Sequence, residues 1–305
     1  MTDHLVIMAV GLLAGMFGGM LGVGGSIIMI PVMTLVFGPA QHLYQGAAMI
    51  MNFFVALPSA WQHRRRHATL SPILRVTIPC AIVGVVVGVW ASSGPWFHGR
   101  NEVYLARIFG GFLFYEAGYN VYRLIARRRL PDMDVEAARR IPRWKIASAV
   151  GLPTGFVGGL LGVGGGIVAV PMQQLLLRVP LHRAIANSAV TIVPLSIIGA
   201  IYKNYTNAGA GLPLTDTLHL AAFLIPTAIV GGFLGARFTH VMPRRLLRVV
   251  FIILMCYAGT TLIRRTAPPA PTQSSPVAHR VGEPTIDLGR IWYGSPWRTI
   301  ALPAA

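Results

Sequence analysis

The sequence predicts an all-α, polytopic transmembrane helical bundle of two homologous repeats, each starting with a glycine-broken helical segment. Three observations carry this expectation: long windows without charge, one hydrophobic unit that occurs twice, and glycine clusters inside apolar stretches. Of the 305 residues, 54% are hydrophobic and 11% charged, against roughly 25% charged in an ordinary soluble domain. A soluble surface cannot be built from that composition. Residues 5–37, 43–62, 76–99, 146–177, 184–202 and 217–236 carry no Lys, Arg, Asp or Glu. Each window has about the 20 residues that a helix needs to cross a bilayer core. Two weaker spans complete the set: 104–122, which contains Arg107 and Glu116, and 249–263.

The doubling is direct. Residues 15–31 read GMFGGMLGVGGSIIMIP and residues 155–171 read GFVGGLLGVGGGIVAVP, with the proline and all but one glycine kept. Further on, IPCAIVGVVVG from Ile78 pairs with IPTAIVGGFLG from Ile225, and Arg107, Ala117, Gly118 and Arg123 fall opposite Arg248, Ala258, Gly259 and Arg264. The organisation expected is a first transmembrane repeat over 1–125, a basic linker over 126–145 (ARRRLPDMDVEAARRIPRWK), a second repeat over 146–265, and a tail over 266–305 rich in Pro, Ser and Thr, expected to be disordered. Gly18/Gly22, Gly84/Gly88, Gly158/Gly162 and Gly231/Gly235 have the spacing that lets helix backbones approach closely.

The formal charge of +17 sits in short loops and not on one amphipathic face, so it describes topology and not a nucleic-acid partner. Arg64–Arg66 and the linker lie on one side, and their basic content makes that side cytoplasmic in a multi-pass protein of the cell inner membrane. If 5–37 and 146–177 enter and return as hairpins, that face gathers more of the Lys and Arg than if each crosses. The hairpin reading is therefore preferred, and it inverts the second repeat relative to the first. Asp3 and His4 precede the first span without a basic leader, so a retained first helix is expected rather than a signal peptide. Cys80 and Cys256 lie inside apolar spans and read as free thiols, with no disulfide framework and no metal site.

The most informative chemistry is LGVGGS from Leu21 and LGVGGG from Leu161. Neither is a phosphate loop: no Lys and Ser/Thr follow, and Ile27 and Ile167 occupy the sixth position of the dinucleotide pattern. Glycines clustered within an apolar span break the helix at bilayer depth, where irregular backbone persists only against protein or a hydrated cavity. The freed N–H groups of Gly22, Gly24, Gly25 and Ser26, and of Gly162, Gly164, Gly165 and Gly166, would then hold a small anion with help from the helix dipole. The alternative is that these glycines only permit tight crossing. Gln45 and Asn52 in one repeat, and Asn187, Ser188 and Thr191 in the other, either line the same cavity or bond across helices. Glu116 is the one acid deep in a span: it is a candidate proton carrier, or a partner for Arg107. His63, His67 and Lys203 read as helix-end groups that reach toward water. The spans hold no His/Cys cluster, no activated serine and no paired carboxylates, which argues against an enzyme, a catalytic residue or a cofactor.

The doubled glycine segment resembles the signature of the TauE/SafE family of sulfite exporters, over about residues 5–265. The resemblance implies a two-halved inner-membrane permease for sulfite, organosulfonates or related carboxylates, working without ATP hydrolysis. It also implies that Gly22, Gly24, Gly25 and Pro31, and Gly162, Gly164, Gly165, Gly166 and Pro171, form the motif, with Asn187 and Ser188 at a small polar pair. This chain departs from it at Ser26, which replaces a glycine, and at Gly46 and Ala47, which replace the pair in the first repeat. The expected partners are a small anionic substrate and the lipid bilayer, and a homo-oligomer is compatible with both. The second reading is a membrane-embedded binding or assembly subunit that transports nothing.

Overall fold

The computed structural model describes residues 2–21, 24–38, 40–97, 101–125, 131–241 and 244–264, and every regular element among them is helical. Gly22, Val23, residues 126–130 of the linker and the whole tail expected over 266–305 lie outside the described residues. The first repeat gives α1 (Thr2–Leu21), α2 (Ser26–Phe37), α3 (Gln41–Arg65), α4 (Ser71–Ser92) and α5 (Glu102–Ile125). The linker is partly folded, as α6 (Val135–Arg139) and α7 (Arg143–Ile146). Asp134 starts α6 by accepting the Ala137 N–H at 2.7 Å, which supplies one of the donors left open at a helix start. The second repeat gives α8 (Leu152–Leu161), α9 (Gly166–Leu176), α10 (Leu181–Gly209), α11 (Leu214–Val241) and α12 (Arg244–Arg264), with a π-helical turn over Ala147–Gly151 before α8. Gln41–Arg65, Ser71–Ser92, Leu181–Gly209 and Leu214–Leu234 are long and apolar enough to cross a bilayer.

The repeats are exchanged in space. α1 lies along α11 and α8 lies along α4, so the first half-helix of each repeat packs on the other repeat. α3 and α10 pair at the centre, and α5 pairs with α12. Glycine makes these crossings close. A Cβ at Gly84 would stand 2.6 Å from Leu152 O, and added methyls at Gly15 and Gly155 would run into the backbones of Ala228 and Ala81. With no water to drive helices together in lipid, such backbone contact is the main source of association. The outward faces are apolar: Val83 and Trp90 on α4 and Ile253 and Tyr257 on α12 are more than half exposed, as a bilayer-facing surface requires.

Not every small-residue pair has the packing role its spacing suggests. Gly84, Gly88 and Gly231 do meet the neighbouring repeat. Gly18 and Gly158 instead face their own chain: a methyl on Gly18 would come 2.7 Å from Gly25 N, and one on Gly158 2.6 Å from Gly165 N. They make room for the chain to fold back on itself after each break. Cys80 and Cys256 are free and partly buried.

Candidate functional site

Both glycine segments interrupt a helix inside the protein. α8 ends at Gly162 in the left-handed region (φ 75°), and α9 begins after Gly164 (φ 70°) and Gly165 (φ 78°). In the first repeat Gly24 has φ 91°, whereas Gly25 is right-handed at φ −78°. A Cβ is strained at positive φ, so the motif is glycine where the backbone needs it. The chain then turns back against the half-helix it has just left: a methyl on Gly25 would stand 2.9 Å from Ala14 O, and one on Gly165 2.6 Å from Thr154 O. The residues that follow, from Ser26 and from Gly166, are buried, so the positive ends of α2 and α9 open into protein and not into water.

The two breaks meet around Asn52. Its Oδ1 accepts the Ser26 N–H at 3.3 Å and its Nδ2 donates to Ser26 Oγ at 2.8 Å, closing a two-point contact at the start of α2. A methyl on Gly24 would lie 3.2 Å from Asn52 Oδ1 and 3.9 Å from Val163 O of the other break. A methyl on Gly164 would lie 3.0 Å from Asn52 Nδ2 and 3.2 Å from Ser196 Oγ. Two turns before Asn52, on the same face of α3, Gln45 donates to Leu160 O at 3.0 Å, near the open C-terminal end of α8. Gln45 Oε1 and Ser196 Oγ are buried without a hydrogen-bond partner, the kind of orphaned group that calls for an explanation. Asn52, Gln45 and Ser196 are all fully buried, and the buried charged residues described, Glu116 and Lys203, bond elsewhere. The centre is thus neutral, rich in hydrogen-bonding groups, and flanked by two helix N-termini.

The other expected residues divide. Ser188 reaches the second break, donating to Gly166 O at 3.2 Å. Asn187 faces away: its Oδ1 accepts the Leu70 N–H and its Nδ2 donates to Gln173 Oε1, both at 2.8 Å, tying α10 to the start of α4 and to α9. Thr191 Oγ1 returns to Asn187 O on its own helix. Glu116 is buried on α5 and accepts from Asn120 Nδ2 at 3.2 Å; none of its hydrogen bonds reaches the breaks. Gly22 lies outside the described residues. Ser196 was missed, because nothing in the sequence separates it from the other hydroxyls of that span.

Lys203 corrects its reading as a snorkelling helix-end residue. α10 continues to Gly209, so Lys203 stays inside the protein and is fully buried. Its Nζ bonds His42 Nδ1 at 2.8 Å, Ser92 Oγ at 3.0 Å and Ser93 Oγ at 3.2 Å. His42 Nε2 bonds Phe97 O at 3.0 Å, which assigns the proton to Nε2 and leaves Nδ1 to accept from the ammonium. The His42 N–H donates to Glu102 Oε1, and Asn207 Nδ2 donates to His42 O. At the opposite end of α10, Arg183 donates to Asp132 Oδ1 at 3.1 Å on the surface, and this guanidinium holds the Asp132 carboxyl below the usual carboxylate range.

A family model described as "Sulfite exporter TauE/SafE" matches residues 7–262. The chain is 30% identical over 280 residues to the probable membrane transporter protein MamO of Magnetospirillum gryphiswaldense, an alignment that covers 83% of this chain and 44% of that protein. Against the MamO of Paramagnetospirillum magneticum it is 27% identical, covering 83% and 43%. The chain therefore spans less than half the length of these two relatives. It matches all of the probable membrane transporter protein YdhB of Bacillus subtilis, at 24% identity over 264 residues and 85% of this chain. No solved structure matches.

Proposed function

The chain belongs to the TauE/SafE family of sulfite exporters, and we propose that it is a secondary transporter that carries a small oxyanion through the neutral site between its two glycine breaks. One observation carries the reading: two interrupted helices present their N-terminal ends to a centre lined by Asn52, Gln45 and Ser196, in which Gln45 Oε1 and Ser196 Oγ have no partner. Backbone N–H groups, an amide and a hydroxyl can hold sulfite, a sulfonate or a carboxylate without a buried counter-charge, which would be costly to desolvate when the site is empty. Gly162, Gly164, Gly165 and Gly166 supply backbone on one side, Gly24, Gly25 and Ser26 on the other, and Ser188 supports Gly166. Glu116 remains the candidate proton carrier, acting at a distance from the bound ion.

In this reading 5–37 and 146–177 are re-entrant hairpins, the repeats are inverted in the inner membrane, and Arg64–Arg66 faces the cytoplasm. The structure is then occluded. Lys203 lies seven residues beyond Ser196 on α10, about 10 Å of helix rise, and its cluster closes the outer end. Asn187, on the other side of Ser196, closes the inner end with Leu70 and Gln173.

The test is sulfite efflux from proteoliposomes, with sulfonates and carboxylates as competitors and rates normalised to folded protein. Asn52→Leu keeps the size of the side chain and removes its hydrogen bonds. It is expected to lower efflux by at least about tenfold, the equivalent of one to two lost hydrogen bonds to a charged ligand. Unchanged efflux in both Asn52→Leu and Gly164→Ala would move the site away from the breaks. Absence of any anion flux in the unsubstituted protein would favour the non-transporting assembly subunit.

A further inference from the structure

A cavity lies away from the glycine breaks, at the end of the bundle that carries the linker. It has a volume of about 640 Å³ and opens between the first turns of α4 and the linker helices α6 and α7. Arg75, Arg139 and Arg143 stand around it, and among the described residues no acidic one lines it. Its lining also includes Val76, Ala138 and Ile146, and the last two are fully buried in an apolar cluster. A site for a free inorganic anion has no use for an apolar base, whereas a molecule with an anionic head and a hydrocarbon body uses both surfaces.

The surroundings extend that chemistry. Arg75 begins an exposed stripe on α4 that continues at helical spacing through Pro79, Val83, Val87 and Trp90, so apolar surface leads from the cavity along a helix long enough to span a bilayer. Trp144, 72% exposed beside Arg143, has the amphipathic ring typical of the membrane interface. Glu136 lies 3.9 Å from Arg139 and both are exposed, a contact of little strength in water.

We propose that this cavity binds an anionic phospholipid, its phosphodiester among Arg75, Arg139 and Arg143 and an acyl chain along the α4 stripe. The lipid would fasten the linker between the repeats to the membrane surface. Basic cavities at the ends of spans attract anionic headgroups by this combination of charge and apolar contact.

The experiment uses the full chain purified in a neutral detergent, with bound lipid counted by native mass spectrometry and the unfolding midpoint followed in parallel. The probes are phosphatidylglycerol, phosphatidylcholine and inorganic phosphate. Retention of phosphatidylglycerol and a raised midpoint are expected, with neither effect from phosphatidylcholine or phosphate. The combined Arg75→Gln, Arg139→Gln and Arg143→Gln variant should hold the lipid at least about tenfold more weakly. The charge-matched Arg64→Gln, Arg65→Gln and Arg66→Gln variant should hold it as the unsubstituted chain does. Equal loss in the two triple variants would reduce the effect to net charge and overturn the site. An equal midpoint shift with inorganic phosphate would assign the cavity to a free anion and overturn the lipid. If the cavity variant fails to fold, Arg75→Gln alone decides by the same comparison with Arg64→Gln.

Discussion

The two ends of α10 are tied to their surroundings with different materials. Near its C-terminal end a fully buried ammonium, Lys203, is held by an imidazole and two hydroxyls. Near its N-terminal end the buried attachment is neutral, Asn187 between Leu70 and Gln173, and the charged pair lies at the surface, with Asp132 exposed and the Arg183 side chain partly covered. A desolvated cation depends strongly on its partners, because leaving it unpaired exacts the full cost of burial. An amide that loses its partners costs less. The exposed ion pair is worth little and is screened by salt. The difference teaches that the two attachments of α10 depend unequally on their partners.

The largest effect expected from this contrast is on the charged side. His42→Leu leaves the Lys203 ammonium buried with one acceptor fewer and should destabilise the protein by about 3 kcal/mol, read from equilibrium unfolding in detergent. Lys203→Met removes the charge together with its need for partners and should cost less than half of that. If the two substitutions rank the other way, the ammonium is not the demanding member of the cluster. On the neutral side, Asn187→Ala strands the Leu70 N–H and Gln173 Oε1 and should cost about 2 kcal/mol. A value equal to that of His42→Leu would erase the contrast.

The smallest effect belongs to the surface pair. Asp132 has its carboxyl held below the ordinary range, first by the Arg183 hydrogen bond. A depressed folded-state value means that its contribution is present above the unfolded value and lost as pH falls through the folded one. Asp132→Asn should therefore lower the unfolding midpoint by a small, constant amount between about pH 6 and 8, and the difference from the unsubstituted chain should disappear below about pH 4. A neutral-pH difference as large as that of Asn187→Ala, or one that persists below about pH 4, would show that Asp132 does more than pair with Arg183 at the surface.

Much of the architecture was legible because it rests on residue types with few substitutes. Charge-free windows announce helices in lipid, and glycine at Gly24, Gly162, Gly164 and Gly165 answers a backbone requirement that other residues meet only with strain. What the sequence could not disclose is which polar groups face one another. Of the amides on the second helix of each repeat the sequence favours Asn187 over Asn52, yet Asn52 lies between the two breaks and Asn187 anchors the first turn of α4. That distinction arises from how α3 crosses α10, a tertiary fact. Lys203 was misread for a related reason. Its distance from water is set by how far α10 continues and by what covers it, and neither is written in its neighbours.

The exchange of α1 onto α11 and α8 onto α4 bears on how the chain is made. During translation α1 leaves the ribosome long before α11 exists, so Gly11 and Gly15, which meet the α11 backbone at Leu224 and Ala228, have nothing to dock against. α8, by contrast, emerges when α4 is already in the bilayer. The second repeat can therefore seat its broken helix as it is synthesised, while the first must wait with its break unsupported, and release from the translocon before α11 is inserted leaves α1 without its packing partner.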